Sequence, residues 1–256
     1  MKIEKLKKLK NGKYKLYLSD GNTILTYDEI IINNMLFDGK ELNNQLLSEI
    51  SINNDYYEIY YKIVKLISNR LRSKKEILEF LNKNEVDKKI QEKIIQKLNQ
   101  NGLIDDYKFA LCYANDAINL RKNGPLKIKE DLRKLEISNE IIDQVIEKLD
   151  CEIIHENLIN IVEKRNRLNK NNSLYMLKTK LSQELIKLGY KQDEIKEALK
   201  NLKSDDDIYK KECEKLMKKY SLKYSGNELK YKVRQGLYQK GFHPSEEIFF
   251  IDEWVF

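Results

Sequence analysis

Few side chains of this 256-residue chain have the types and spacings that catalysis or cofactor binding requires. The segment 236–241 has the glycine spacing of a phosphate-binding loop but lacks the Lys-Ser/Thr pair that contacts phosphate and Mg²⁺. His155 and His243 are isolated in sequence, with no set of cysteines at metal-ligand spacing. No G-x-S-x-G element presents a nucleophilic serine. The sequence therefore predicts no enzyme, no metal and no cofactor.

An acidic doublet, Asp105-Asp106, directly precedes an apolar helical stripe. A carboxylate at that position accepts backbone N–H groups and opposes the positive end of the helix dipole. Catalytic carboxylates work with an acidic partner across a cleft, and nothing in the sequence supplies one. We therefore expect the doublet to cap a helix.

Basic side chains recur on one predicted helix in each of three segments. Stacked helices could align them into a stripe that follows a phosphate backbone or an acidic groove. Ordinary solvent-exposed lysines explain the same pattern, and no aromatic residues interleave with them as stacking platforms would. The stripe is a candidate partner-binding site made of Lys127, Lys129, Arg133, Lys134, Lys178, Lys180, Lys187, Lys230, Lys232 and Arg234.

Composition indicates a soluble protein with a mild positive charge. The chain has 48 basic and 41 acidic residues, a net charge of +7, which does not by itself demonstrate nucleic-acid binding. No apolar run is long enough to cross a membrane, and the first residues do not form a secretory signal. Three widely spaced cysteines fit reduced thiols. We expect a cytoplasmic monomer.

The elements that must position these side chains belong to a repeat. A cassette occurs at Leu132–Ile137, Leu185–Tyr190 and Leu237–Phe242, with its leading leucines 53 and 52 residues apart. A fixed period of this length predicts tandem copies of one supersecondary unit. Such arrays build extended surfaces suited to binding another macromolecule.

Glycines in the cassette predict how its helices end. Gly189 and Gly241 follow helical runs where a left-handed residue usually ends a helix. Tyr190 and Phe242 come next, and we expect both in the core. One copy has Glu136 in place of glycine, and keeping the left-handed turn there would cost about 1 kcal/mol.

Residues 1–50 differ from the rest of the chain, because their first half shows strand periodicity. Apolar residues alternate with polar ones around the turn pairs Asn11-Gly12 and Asp20-Gly21. We predict an antiparallel meander with strands at 3–9, 13–18 and 23–27. A short helix near Asp28, a second helix at 39–50 and a linker at 51–55 should follow it.

From residue 56 onward the periodicity is helical. The predicted fold is mainly α, with tandem three-helix repeats in an extended curved array after the β-meander of domain 1–55. Ser138 and Asp193 are N-cap candidates, and Pro244 suits a first turn. The apolar residues of 248–256 suit the core face of the last helix, with a partner-binding patch as the alternative. The predicted repeats are 56–102 (helices 56–71, 73–83, 87–100), 103–150 (105–121, 125–135, 138–149), 151–203 (152–168, 173–188, 192–202) and 204–256 (205–220, 227–240, 244–254).

Two stretches resemble a known family. Gly102-Leu-Ile-Asp-Asp-Tyr-Lys-Phe-Ala110, followed by Lys122-Asn-Gly-Pro125, is similar to the signature of the RecX recombination regulators. The cassettes ending in Tyr190 and Phe242 resemble that family's K-G-F repeats, and the N-terminal segment resembles an extension in relatives from low-GC Gram-positive bacteria. The motif residues are expected to be structural: Gly102, Leu103, Ile104, Asp105, Asp106, Phe109, Ala110, Gly189, Tyr190, Gly241 and Phe242.

The resemblance implies a non-enzymatic modulator of the RecA recombinase in DNA repair, recombination and the SOS response. Members of the family lie in the groove of the RecA–DNA filament, span adjacent protomers, and suppress ATP hydrolysis and strand exchange. An alternative is a protein that binds DNA directly through helix-turn-helix-like units. Weak DNA contact is compatible with both hypotheses.

Overall fold

The computed structural model describes residues 1–10, 12–203 and 206–242. This part of the chain is mostly α-helical, with a small antiparallel sheet near the N-terminus, as predicted. The chain divides into two compact units, Met1–Phe109 and Ala110–Phe256. The last predicted helix, with His243, Pro244 and the apolar residues 248–256, lies outside the described residues.

The N-terminal sheet contains the three strands that the alternating pattern predicts. Strands β1 (Ile3–Lys8), β2 (Tyr14–Leu18) and β3 (Thr23–Thr26) pair antiparallel in the order β1-β2-β3. Gly21 in the second turn has a φ of +83°, which explains the Asp-Gly pair. Asn11 of the first turn lies outside the described residues.

Twelve α-helices follow the sheet within the described residues. Apart from α1 and α2, each begins and ends within two residues of its predicted bounds, because local periodicity and capping residues determine helix ends. The helices are α1 (Asp28–Asn33), α2 (Asn44–Asn69), α3 (Lys74–Lys83), α4 (Lys88–Gln100), α5 (Asp106–Asn119), α6 (Pro125–Lys134), α7 (Asn139–Glu147), α8 (Cys151–Arg167), α9 (Leu174–Leu188), α10 (Gln192–Lys200), α11 (Asp206–Tyr220) and α12 (Gly226–Gln239).

The predicted linker at 51–55 is wrong, since α2 continues through it. Asn43 caps this helix by accepting the Leu46 N–H at 2.8 Å. Ile50 and Tyr57 are both buried, on either side of the asparagine-rich stretch. Asparagine has a weak helix propensity, but burial of one continuous apolar stripe overrides that local preference.

One hydrophobic core runs through the unit Met1–Phe109. It joins strand residues such as Ile3 and Leu16 to helical residues such as Ile63 and continues to Ile104. The domain boundary predicted at residue 55 falls inside α2. The sheet and helices α1–α4 are therefore held together by shared burial.

The N-cap predictions had mixed outcomes. Ser138 caps α7 by accepting the Ile141 N–H at 3.3 Å, as predicted. Asp193 does not cap α10, because that helix begins at Gln192 and Asp193 lies inside its first turn. Glu194 supplies the capping carboxylate instead and accepts the Lys191 N–H at 3.3 Å.

Candidate partner-binding surface

The motif residues 102–110 form the turn between α4 and α5. Gly102 has a φ of +64°, and the Leu103 N–H donates to the Leu98 carbonyl at 2.9 Å, which ends α4. Three further motif side chains lie in the core, which makes this segment a scaffold: Ile104, Phe109 and Ala110.

The acidic doublet accepts helix N-terminal amides, but only Asp105 does so for the helix that follows it, as the sequence predicts. Asp105 accepts the Lys108 N–H at 2.9 Å, and this hydrogen bond lowers the pKa of the Asp105 carboxyl. Asp106 accepts the N–H of Lys74, the first residue of α3, at 3.4 Å. The two carboxylates thus serve the N-termini of two different helices.

The three cassettes end their helices with the same turn. The position after the helix has a φ of +59° at Glu136, +85° at Gly189 and +79° at Gly241. In each copy the next N–H donates back to the carbonyl of the leading leucine, at 3.1–3.2 Å. Tyr190 and Phe242 are 2% and 6% exposed, which confirms that they belong to the core.

The structure contains a fourth cassette that sequence comparison missed. Glu85 has a φ of +54°, and the Val86 N–H donates to the Leu81 carbonyl at 3.2 Å. Leu81 is fully buried and precedes Leu132 by 51 residues, close to the repeat period. The spacing of its leading leucine could have revealed this copy in the sequence. It was hard to recognise because Glu85 and Val86 stand where two other copies have glycine and an aromatic residue.

The N-terminus of α6 docks on the C-terminus of α9. The Gly124 N–H donates to the Leu188 carbonyl at 2.7 Å, and the Leu126 N–H donates to the Gly189 carbonyl at 3.0 Å. These bonds satisfy two amides that a helix start leaves without partners. A Cβ atom on Gly189 would lie 2.1 Å from the Lys127 nitrogen, so the contact requires glycine.

Tyr190 reinforces that junction. Its hydroxyl donates to the Lys122 carbonyl at 2.9 Å. A tyrosine hydroxyl keeps its proton at neutral pH, and burial raises the pKa of Tyr190 further, to about 12. The aromatic residue of the cassette therefore both fills the core and anchors the segment before α6.

The N-terminus of α9 contacts the C-terminal end of α12 in a related way. The Ser173 hydroxyl donates to the Lys240 carbonyl at 2.9 Å and accepts the Met176 N–H at 3.3 Å. A Cβ atom on Gly241 would lie 2.8 Å from that hydroxyl oxygen. Helices α6, α9 and α12, which carry the predicted basic stripe, are thus linked end to end.

Neighbouring carboxylates form ion pairs with the lysines of α6 and offset most of their positive charge. Lys127 lies 3.0 Å from Asp131, and hydrogen bonds to Asp131 and Glu130 raise the pKa of the Lys127 ammonium. Lys129 pairs with Asp143 at 2.8 Å. Lys134 lies 2.5 Å from Glu130, and Arg133 donates to Asn139 at 3.1 Å. Exposed pairs of this kind add little stability and reduce the local positive charge.

The basic residues of α9 and α12 have different surroundings. Within the described part of the chain, no carboxylate forms an ion pair with Lys178 or Lys187, while Lys180 donates to Asn172 at 2.6 Å. The expectation that no aromatic residue interleaves with the stripe is wrong on α12, where the exposed Tyr231 stands between Lys230 and Lys232. The Lys232 ammonium lies 5.8 Å from the ring centroids of Tyr224 and Tyr231. Lys230 is partly buried and Arg234 is exposed.

Neither a metal centre nor a membrane span is present in the part of the chain that the structure describes. No group of three or more His, Cys, Asp or Glu residues there could hold a metal ion. None of the helices α1–α12 is both long and apolar enough to cross a bilayer. Cys112, Cys151 and Cys213 are free thiols.

Known proteins are similar to this chain in sequence and in fold. The family model described as "RecX, second three-helix domain" matches residues 105–146, which span α5, α6 and all but the last residue of α7. The protein called Regulatory protein RecX of Bacillus cereus (strain 03BB102) is 30% identical over 259 residues, covering 97% of this chain and 95% of the relative. The protein of the same name from Bacillus thuringiensis (strain Al Hakam) has the same identity and coverage.

Two solved structures agree with these matches. A crystal structure of regulatory protein RecX has a TM-score of 0.65 and 25% identity, covering 78% of this chain and 99% of its own. A crystal structure of RecX from Lactobacillus salivarius has a TM-score of 0.53 and 25% identity, covering 59% of this chain and 97% of its own. Sequence and fold lead to the same conclusion: the chain belongs to the RecX family of regulatory proteins.

Proposed function

We propose that this protein binds the RecA recombinase filament in its helical groove and inhibits ATP hydrolysis and strand exchange. It would thereby modulate recombination and DNA repair in the cytoplasm, as a monomer without a cofactor. Membership of a regulatory family supports the general role. The observation that carries the proposal is the end-to-end linkage of α6, α9 and α12 at Gly189 and Gly241.

Linked repeats suit a polymeric partner. Each of the proposed repeats 103–150, 151–203 and 204–256 contributes one linked helix, so a basic helix recurs at the same place in each repeat. A filament presents the same groove at successive protomers. Recurring surfaces on both partners allow several weak contacts to act together.

The basic residues of the stripe should contribute unequally to binding, because they differ in their ion-pair partners. Lys178 and Lys187 on α9 have no ion-pair partner among the described residues, so an acidic groove would meet their full charge. The α6 lysines already contact Asp131, Asp143 and Glu130 and would contribute less. This neutralisation also weakens the alternative in which the helical units bind DNA directly.

The decisive experiment is a RecA ATPase assay on single-stranded DNA with filament length measured in parallel. We expect stoichiometric protein to lower the rate and shorten the filaments. Lys178→Glu/Lys187→Glu should relieve this inhibition, whereas Lys164→Glu/Lys196→Glu, an equal charge change on exposed positions of α8 and α10, should not. An unchanged ATPase rate and filament length with the unmodified protein would refute the proposal.

A further inference from the structure

Most of the excess positive charge lies in the N-terminal sheet region. Residues 1–27 contain seven lysines and two acidic residues, a net charge of +5 out of +7 for the whole chain. The other 229 residues contain 41 basic and 39 acidic side chains, a net charge of +2. A uniform preference for lysine does not explain such a concentration.

Strand pairing decides which of these side chains share a face. Lys5 pairs with Tyr17, and Lys7 pairs with Lys15. Leu16 between them is buried in the core, so its neighbours on the strand face outward. A register shift between Ile3 and Lys5 allows the first to face the core and the second to face solvent. We define the outer face as Lys5, Lys7, Lys15, Tyr17, Thr23 and Leu25.

The outer face has three positive charges and a central aromatic ring. The Lys15 ammonium lies 5.2 Å from the ring centroid of Tyr17. Tyr17 is flanked by Lys5 on β1 and by Thr23 on β3. Among the described residues, no carboxylate forms an ion pair with Lys5, Lys7 or Lys15, in contrast to the lysines of α6.

We propose that the outer face binds single-stranded nucleic acid. Its lysines would contact phosphates, and the Tyr17 ring would stack on an unpaired base. Lys5 and Lys7 are two residues apart on one strand, about 7 Å, and the neighbouring strand is about 5 Å away. A few nucleotides therefore cover the face. This inference goes beyond the proposed function and does not rest on it.

Other polyanions fit this surface less well. The bases of a duplex are paired and stacked, so a flat sheet would reach only its phosphates and Tyr17 would have no base face to contact. A bilayer surface favours several apolar side chains that can insert, and Leu25, 52% exposed, is the one aliphatic residue of the outer face. The carboxylates of an acidic protein would pair with the lysines, but they would leave the Tyr17 ring without a planar group to stack on.

The test is fluorescence anisotropy of full-length protein with a labelled oligothymidylate of about 20 nucleotides, at low salt and without RecA. We expect Lys5→Ala/Lys7→Ala/Lys15→Ala to weaken binding at least about tenfold and to reduce the slope of log affinity against log salt by about 2. Lys83→Ala/Lys89→Ala/Lys93→Ala removes the same charge from exposed positions on α3 and α4 and should change affinity less than about twofold.

Tyr17 variants separate stacking from charge. Tyr17→Val keeps a strand-forming residue but removes the ring, and should weaken binding at least about fivefold, whereas Tyr17→Phe should stay within about twofold. Circular dichroism checks that each variant is folded. If the triple variant does not fold, the single variants Lys7→Gln and Lys15→Gln replace it, each with an expected slope change of about 0.7.

Several outcomes would overturn this proposal. One is equal affinity of the outer-face and control triple variants. A second is equal binding of duplex and single strand together with no effect of Tyr17→Val. A third is binding to vesicles of acidic phospholipid, lost in the outer-face variant, with no oligonucleotide binding. Because the assay contains no RecA, failure of the proposed RecA regulation would leave its result intact.

Discussion

The turns at Glu136 and Gly189 have the same backbone and different surroundings. Both positions have a positive φ, and both turns are closed by the same hydrogen bond to a leading leucine. Glu136 is exposed, whereas Gly189 is buried against the first turn of α6. A left-handed turn therefore tolerates glutamate, and close approach of another helix is what demands glycine.

All four cassettes show the same contrast between glutamate and glycine. Glu85 and Glu136 end α3 and α6, while Gly189 and Gly241 end α9 and α12. The glycine copies are the two whose Cβ position is occupied by atoms of another helix. Ending a helix and joining two helices are thus separate roles, and the residue at this position distinguishes them.

The largest expected effect concerns the residue after the glycine. Phe242 is buried, and its ring lies 5.8 Å from that of Tyr209. We expect Phe242→Ala to lower the free energy of unfolding by about 3–5 kcal/mol, because a large cavity forms. Tyr231→Ala, at an exposed position on α12, should change it by less than about 0.5 kcal/mol. Urea unfolding followed by circular dichroism measures both, and similar values would show that the cassette is not core.

Gly189→Ala tests the joining role directly. The new Cβ would meet the backbone of Lys127, so we expect a loss of about 2–4 kcal/mol from overpacking and left-handed strain together. Gly226→Ala is the matched control, since Gly226 has a φ of +56° and open space around it, and should lose only about 1 kcal/mol. Equal losses in urea unfolding would mean that backbone conformation alone selects glycine.

The ion pair between Glu212 and Lys240, next to Gly241, should make the stability of the fold depend on pH. Burial of the Glu212 carboxyl raises its pKa, but Lys240 and Lys215 outweigh burial, so the pKa lies below the ordinary 4.5. A lowered native pKa stabilises the fold above the unfolded-state value, and this contribution is lost as pH falls through the native value. Glu212→Gln should lose about 1–2 kcal/mol at neutral pH, a value reduced because Lys240 is half exposed.

Thermal unfolding between neutral pH and about pH 3 measures that contribution. The melting temperatures of the unmodified protein and of Glu212→Gln should converge as the pH falls. A constant difference across this range would show that the carboxylate charge does not support the α11–α12 contact next to the cassette.

Glu136→Gly is expected to have the smallest effect. Glycine relieves about 1 kcal/mol of left-handed strain but increases the entropy of the unfolded chain, so the net gain should be below about 1 kcal/mol. Differential scanning calorimetry should detect a small rise in melting temperature. A clear destabilisation would mean that the glutamate side chain makes a contact that matters more than the backbone conformation.

Local signals explain why most elements were predictable. Ser138 and Asp105 cap helices where the sequence places them, because a capping side chain bonds amides only two or three residues away. The linker at 51–55 was wrong because burial of Ile50 and Tyr57 outweighs weak local propensity. The Glu85 cassette could not be recognised from residue types, because it shares the backbone turn of the other copies but not their glycine.

The candidate surfaces depended more on the fold. The basic residues of α6 and their i,i+4 carboxylates Glu130 and Asp131 were evident in the sequence, but the pair between Lys129 and Asp143 was not, because Asp143 lies on another helix. The outer face likewise depends on a register shift between Ile3 and Lys5 that reverses the strand alternation. Charge content is a property of sequence, whereas the local field depends on which side chains fold beside each other.

By itself, the sequence determined the helical periodicity, the strands of the meander, the repeat length and the family, since all of these depend on residue order over short distances or on a fixed spacing. Only the tertiary structure decided which cassettes join helices and which lysines of the sheet lie together on one face without a carboxylate partner. Both depend on atoms brought together from distant parts of the chain, such as Gly189 against Lys127 and Lys15 beside Lys7.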